Sequence, residues 1–229
     1  MKTITVVLPA KDEEVGLGQL ANEFKESSLR NRDGLSITIV VDSRSSDHSR
    51  EIANLLADKI IDQKRGHGKG LAIKSAIAEW KINTTDFFIM MDSDGSYLWQ
   101  DVERIIQELE SGAQVVSGVR LEGLFKRTEG MSILHHFGNH ALSLISSLRN
   151  RKKIYDLCTG LWGFEENALK QISPISDGFD LEAEIHGRIR INGLSHIQIP
   201  IKWRPRIGGE AKIRSFVDGF KILYRTLVT

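Results

Sequence analysis

The segment Phe87-Phe88-Ile89-Met90-Met91-Asp92-Ser93-Asp94-Gly95 decides how the rest of the chain is read. Its unbroken apolar run predicts a central strand buried on both faces, as in a parallel sheet covered by helices on either side. The run ends in Asp-x-Asp. Two carboxylates one residue apart at a strand end project toward the same side and supply hard oxygen ligands for Mg²⁺ or Mn²⁺, which also bind a diphosphate. Asp-Gly is equally a common turn pair, so the tetrapeptide alone reads as well as a polar turn.

Toward the amino terminus, short β-branched runs alternate with helix-period segments. Ile4-Thr5-Val6-Val7-Leu8 predicts a strand ending at Pro9, followed by a helix with Val15, Leu20 and Phe24 on one face. Positions 36–41 repeat the strand signal, and Asp47 or Ser49 can cap a helix striped by Ile52, Leu55 and Leu56. Lys59-Ile60-Ile61 predicts a third strand, then comes a glycine-rich loop, Gly66-His67-Gly68-Lys69-Gly70, and a helix with Ile73, Ile77 and Trp80 along one side. Beyond the decisive segment, Val102, Ile105, Ile106 and Leu109 mark a further helix, and 113–117 a fifth strand. Regular alternation stops there, which places an internal division near residue 120. The later apolar segments read as helices at 131–148, 179–191 and 213–227 and as strand-like runs at 157–164 and 195–201. The expected architecture is α/β: one compact domain over 1–229, with a Rossmann-like, mostly parallel sheet and helices on both faces.

Lys and Arg total 31 against 30 for Asp and Glu, so the net charge of +1 gives no basis for nucleic acid as a partner. A hydrophobic content of 41% over 229 residues suffices for one sizeable core. The single cysteine, Cys158, cannot close an intramolecular disulfide; it is expected to be a buried, inert thiol in a reducing compartment. The opening MKTITVVLPAKDEE lacks the apolar run and cleavage site of a signal peptide. No stretch approaches the roughly 18 uninterrupted apolar residues of a membrane span. The expectation is a cytoplasmic chain, soluble or peripheral on the cytoplasmic membrane face.

In open α/β sheets ligands bind beyond the carboxyl ends of the strands. The polar residues after Leu8, Val41 and Met91 therefore line one crevice: Pro9-Ala10-Lys11-Asp12-Glu13, Asp42-Ser43-Arg44-Ser45-Ser46-Asp47 and Asp92-Ser93-Asp94. A helix cap accounts for Asp47; Asp42 has the better functional case. The glycine-rich loop matches neither a Walker A loop nor Gly-x-Gly-x-x-Gly, and it offers one cation, Lys69, to a phosphate.

In order along the chain stand VVLPAKDEE (6–14), VVDSRSSDHS (40–49), RGHGKGLAIKSAI (65–77), MMDSDGSY (90–97), SGVR (117–120), FGNHALS (137–143), DLCTGLWGF (156–164) and RIGGEAKIRSFVDGFKIL (206–223). Each is weak alone; by all of them together the chain resembles the family 2 glycosyltransferases. The resemblance is closer to their polyprenyl-phosphate sugar synthases, such as dolichyl-phosphate mannose synthase. It implies a GT-A fold, with 1–120 binding a nucleotide sugar, GDP-mannose or a UDP-hexose, and 121–229 receiving the acceptor. It further implies nucleotide contacts from Pro9, Ala10, Lys11, Glu13, Val40, Asp42, Lys69, Asp92, Ser93, Asp94 and Ser96, and Mg²⁺ or Mn²⁺ held by Asp92 and Asp94. Arg120, Arg206 and Lys212 become anion contacts near the donor and acceptor phosphates, Arg120 joining the two aspartates in catalysis. Where the family often has two adjacent acids after the second strand, this chain has Asp42-Ser43, so only Asp42 carries over.

A metal on Asp92 and Asp94 would neutralise charge developing on the leaving diphosphate, with inversion by direct attack. A polyprenyl phosphate acceptor is already anionic and needs steering cations more than a base; a hydroxyl acceptor, such as phosphoglycerate or a glycan, needs a base. For that base Asp180, Glu182 and Glu184 are candidates, although a spacing of two spreads them around a helix and at least two are expected to be solvated. The apolar Leu134, Phe137, Leu144, Ile145 and Leu148 followed by Arg149-Asn150-Arg151-Lys152-Lys153 suit a membrane surface, or else a core helix with a basic end. His136 and His140, one turn apart, lack a third metal ligand and read as incidental. Two rival readings are an aspartate-dependent phosphatase, in which Asp-x-Asp normally follows the first strand, and a non-catalytic nucleotide-sugar-binding module.

Overall fold

The computed structural model describes residues 1–63, 66–81, 84–121, 123–124, 126, 130–208 and 215–229. Lys212 and Gly209 lie outside the described residues. Five strands and four helices alternate through the first half: β1 (Ile4–Ala10), α1 (Glu14–Glu26), β2 (Leu35–Asp42), α2 (Ser49–Ala53), β3 (Lys59–Gln63), α3 (Lys69–Trp80), β4 (Phe87–Met90), α4 (Trp99–Glu110) and β5 (Val115–Val119). The second half adds α5 (Ile133–Asn150), β6 (Trp162–Glu165), α6 (Glu166–Ile172), α7 (Leu181–Ile191), β7 (His196–Pro200) and α8 (Ser215–Val228).

Among the described residues, seven strands form one sheet in the order β3-β2-β1-β4-β6-β5-β7. Of these, β6 alone runs antiparallel to its neighbours, β4 and β5. The side-chain alternation of the strands sorts the core onto the two faces. Ile4, Val6 and Leu8 of β1 with Phe87 and Ile89 of β4 meet Leu17, Leu20, Ile105 and Ile106 from α1 and α4. Val7, Phe88 and Met90 turn the other way onto Ile73, Ile77 and Trp80 of α3 and Leu181 and Ile185 of α7. The mostly parallel sheet with helices on both faces is therefore as expected.

Three local expectations are corrected. Strand β1 continues through Pro9 to Ala10, because pairing with β4 stops at Val7 opposite Met90 and only β2 pairs beyond it. Proline is tolerated where one side of a strand has no partner. Val15 is exposed, the buried face of α1 being Gly16, Leu17, Leu20 and Ala21. Helix α2 is only five residues long, so Leu55 falls past its end and into solvent while Leu56 is buried.

Candidate active site

The order β2-β1-β4 puts the carboxyl ends of three parallel strands side by side, and with them Asp42, the 9–13 segment and Asp92-Ser93-Asp94. Hydrogen bonds then lock the loops together. Ser93 Oγ donates to the Pro9 carbonyl at 2.6 Å, tying the Asp-x-Asp segment to the end of β1. Asp12 accepts from the Ser46 backbone N–H at 2.7 Å, and the Glu13 N–H donates to Ser49 Oγ at 2.7 Å, joining the first and second βα loops. Asp47 accepts from the N–H groups of Glu14 and Ser49, so its part is structural. Asp42 lies buried at the end of β2, where its Oδ1 accepts from the Arg44 N–H in an Asx turn.

Both oxygens of Asp94 are engaged within the protein, and Oδ1 of Asp92 is held by a cation. Asp94 Oδ1 accepts from the N–H and hydroxyl of Ser96 at 3.0 and 2.6 Å, a turn completed by Gly95 at φ +75°. Asp92 Oδ1 lies 2.6 Å from Lys69 Nζ. The remaining Asp92 oxygen faces Gly160, where an added Cβ would stand 2.0 Å from Oδ2. The Gly160 N–H donates to the Tyr97 hydroxyl at 2.5 Å. The remaining Asp94 oxygen, Oδ2, is 3.4 Å from Arg206, whose guanidinium also meets both oxygens of Glu13.

The expected nucleotide and phosphate residues are thus largely gathered at one edge, with differences. Val40 is wholly buried between β1 and β3, so its side chain faces the core and not the crevice. Lys69 does not sit on an open loop: it opens α3 with its side chain 9% exposed, wedged between Asp92 and Glu182 at 2.6 Å from each. Burial pulls its pKa down, but the two carboxylates more than offset this and keep it a cation. Burial pushes the Glu182 carboxyl up while Lys69 pulls it back.

Arg120 is matched by the fully buried Asp156, at 2.8 Å from Nε to Oδ2 and 2.9 Å from Nη2 to Oδ1, and donates to the Cys158 carbonyl. Despite burial, Arg120 holds the Asp156 carboxyl below the ordinary carboxylate range. The Cys158 thiol is pushed up to about 12, chiefly by burial, and is neutral at pH 7.

The expectation of solvated acids on α7 is corrected. Glu184 is buried and accepts from the N–H groups of Ile175 and Ser176, Asp180 accepts from Ser176 and Arg225, and Glu182 meets Lys69. None of the three is a free base. Sequence reasoning did not find Tyr97, Asp156 or Gly160 as site residues; all three lie inside motifs already quoted, but their contacts cross from one motif to another.

Among the described residues, no cluster of three or more His, Cys, Asp or Glu side chains is arranged to hold a metal. Asp92 and Asp94 offer two carboxylates within one turn, a donor set that fits a hard divalent cation taking its other ligands from a diphosphate and water. A wider groove of about 730 Å³ lies at the opposite edge of the sheet, by Met1, Lys2, Phe87 and Glu165, and carries none of these residues.

The model of the glycosyl transferase family 2 matches residues 5–173, which include every strand end just described. The chain belongs to that family. Among relatives of this family 2 chain, glycosyltransferase AglJ of Haloferax volcanii is 24% identical, over 99% of this chain and 72% of its own. A UDP-N-acetylglucosamine–dolichyl-phosphate N-acetylglucosaminyltransferase of Methanococcus voltae is 25% identical, over 99% of this chain and 96% of its own. A crystal structure of glucosyl-3-phosphoglycerate synthase from Mycobacterium tuberculosis with Mn²⁺, UDP-glucose and phosphoglyceric acid superposes with a TM-score of 0.74 at 17% identity, over 99% of this chain and 79% of that one. The family 2 chain thus has the GT-A fold and is a glycosyltransferase that uses a nucleotide sugar.

Proposed function

We propose that the chain moves a sugar, with inversion, from a nucleoside diphosphate sugar to a polyprenyl phosphate, working against an anionic membrane surface. The observation that carries the acceptor is that α5 and α8 are inside out. Helix α5 turns His136, Asn139, Ser143 and Ser146 inward and exposes Ile133, Leu134, Phe137, Leu144 and Leu148. Helix α8 buries Ile222 and Thr226 and exposes Phe216, Phe220, Tyr224 and Leu227, with Phe220 71% exposed. The helices touch, Arg149 Nε donating to the Leu227 carbonyl at 3.3 Å. Large apolar side chains on neighbouring helices, rimmed by Arg149 and Arg151, suit an interfacial seat on anionic lipid. Within the basic run, Lys152 and Lys153 are engaged instead with the His196 carbonyl and the Tyr155 ring. No helix among the described residues is long and apolar enough to cross a membrane. The Methanococcus voltae relative, named for a dolichyl phosphate acceptor, adds support.

At the donor, Asp92 and Asp94 would hold Mg²⁺ or Mn²⁺, which when bound neutralises charge on the leaving diphosphate. Asp42, Lys11 and Glu13 line the end of the sheet where the nucleoside would lie. Arg206 is placed to exchange its pairing with Asp94 for a phosphate, Arg being suited to bidentate anion contacts. Lys212 keeps its expected acceptor role as part of this proposal. An anionic acceptor needs no proton removed, which fits the absence of a free carboxylate on α7.

The test is labelled-sugar transfer from GDP-mannose, UDP-glucose and UDP-N-acetylglucosamine to polyprenyl phosphate and, in parallel, to 3-phosphoglycerate, with sedimentation on anionic vesicles. Lipid labelling is expected, and Phe137→Glu with Phe220→Glu should abolish vesicle binding while leaving nucleotide binding intact. Labelling of phosphoglycerate alone would overturn the lipid acceptor and leave a soluble-acceptor transferase.

A further inference from the structure

The glycines at the start of α3 have a packing purpose. A Cβ on Gly70 would stand 2.3 Å from the Ser176 carbonyl oxygen, and one on Gly68, at φ +120°, would stand 2.4 Å from that of Asp177. The Leu71 N–H donates to the Asp177 carbonyl at 3.0 Å. The start of α3 and the loop leading into α7 are therefore in backbone contact, an approach that only glycine allows. Lys69 lies between those two glycines, and Glu182 sits in the first turn of α7. The close backbone approach, reinforced by Lys74 Nζ donating to the Ile175 carbonyl at 2.9 Å, sets the spacing of the two elements that carry Lys69 and Glu182.

On this platform the Lys69 ammonium touches Asp92 Oδ1 and Glu182 Oε1 at 2.6 Å each, with Glu182 5% exposed. Asp92 is enclosed from the other side by Gly160. We infer that Glu182 and Lys69 form a positioning relay for Asp92: Glu182 fixes Lys69, and Lys69 fixes the carboxylate that faces the diphosphate. The inference rests on the site reading given under Proposed function. Lys69 thus acts on a carboxylate, and Glu182 is a positioning residue without contact to the sugar.

The relay has a second consequence, through charge. Two carboxylates share one ammonium, so Asp92 keeps part of its negative charge available to a cation. Removing the Glu182 charge leaves the ammonium to Asp92 alone, which neutralises it more fully and draws it toward α3. Groups that orient a metal ligand in this way typically change metal affinity by about 10–100-fold when altered.

The experiment is calorimetric titration of the folded chain with GDP and with UDP, with and without Mn²⁺, for the wild type, Glu182→Gln, Lys69→Arg, Asp92→Asn and the Glu182→Gln/Asp92→Asn double variant. Glu182→Gln should weaken the Mn²⁺-dependent part of nucleotide affinity about tenfold, and it should have no effect in the Asp92→Asn background, because the relay acts only through Asp92. Lys69→Arg, which keeps the cation, should stay within about threefold of the wild type, far inside the tenfold loss. Equal losses with and without Asp92 would show a merely structural Glu182 and overturn the relay, as would an unchanged affinity in Glu182→Gln. A wild type that binds neither nucleotide would instead overturn the site reading on which the relay rests.

Discussion

Gly160→Ala isolates the placement of Asp92 from its chemistry. Gly160 is not among the glycines with positive φ, so alanine is compatible with its backbone, and the only cost is the side chain it brings. The new Cβ would stand 2.0 Å from Asp92 Oδ2, 2.4 Å from its Cγ and 2.8 Å from Oδ1. A carbon and an oxygen settle no closer than roughly 3.3 Å, so the carboxylate must move by about 1.3 Å. Asp92 cannot give way freely, because Oδ1 is tied to Lys69. A misplacement of about 1 Å costs on the order of 10²-fold in rate, or about 2.7 kcal/mol in the barrier. Gly160→Ala is therefore expected to lower kcat about 100-fold at saturating nucleotide sugar and Mn²⁺. Its melting temperature should stay near that of the wild type, since the clash falls on a partly exposed carboxylate at the site edge. Steady-state transfer and thermal denaturation of the same preparations decide the matter. A variant with wild-type kcat and metal dependence would refute the reasoning.

Other substitutions separate the remaining roles. Asp42→Ala should raise KM for the donor more than it lowers kcat, because a contact to base or ribose is equal in ground and transition states; a collapsed kcat at normal affinity would contradict this. Arg120→Ala leaves Asp156 buried without its cation, so urea unfolding should show a loss of about 3–5 kcal/mol; a fully stable variant would show that the pair contributes little and free Arg120 for a phosphate. His186 and His196 lie buried against Trp162, and burial lowers both, His186 to about 3. Their folded values lie below the unfolded one near 6.5, so the stability they contribute is complete above about pH 6.5 and is lost as the pH falls, for His186 down to about 3. Among the described residues the His186 Nε2 has no hydrogen-bond partner, so His186→Phe should flatten the acid limb of the melting profile; an unchanged limb would place the acid sensitivity elsewhere.

The first half of the fold was legible because each of its units carries its own period. Phe87-Phe88-Ile89-Met90 reads as a doubly buried strand, and parallel connection places its end beside those of β1 and β2. The second half was less so. A stripe such as Phe216, Phe220, Tyr224 and Leu227 marks an amphipathic helix, but a period does not say whether the apolar side faces core or solvent. In α5 and α8 it faces out. The insertion of β6 between β4 and β5 is a matter of pairing over long sequence separation, which local pattern does not encode. At the site, the strand-end carboxylates were readable from position alone. The pairings of Lys69 with Glu182 and of Arg120 with Asp156 were not, since each joins residues far apart in sequence and turns an apparent surface charge into a buried one. The glycines at 68 and 70 were visible as a motif; their purpose appears only with the 176–178 loop packed against them.

The most direct test of the central claim is nucleotide-sugar turnover measured with and without chelator, for the wild type, Asp92→Asn and Asp94→Asn. Each substitution removes an anionic ligand at nearly constant volume. The account predicts sugar transfer that EDTA stops and Mn²⁺ or Mg²⁺ restores, falling on the order of 10²-fold or more in either variant at saturating metal. Unchanged turnover in both variants, or transfer indifferent to chelation, would contradict it.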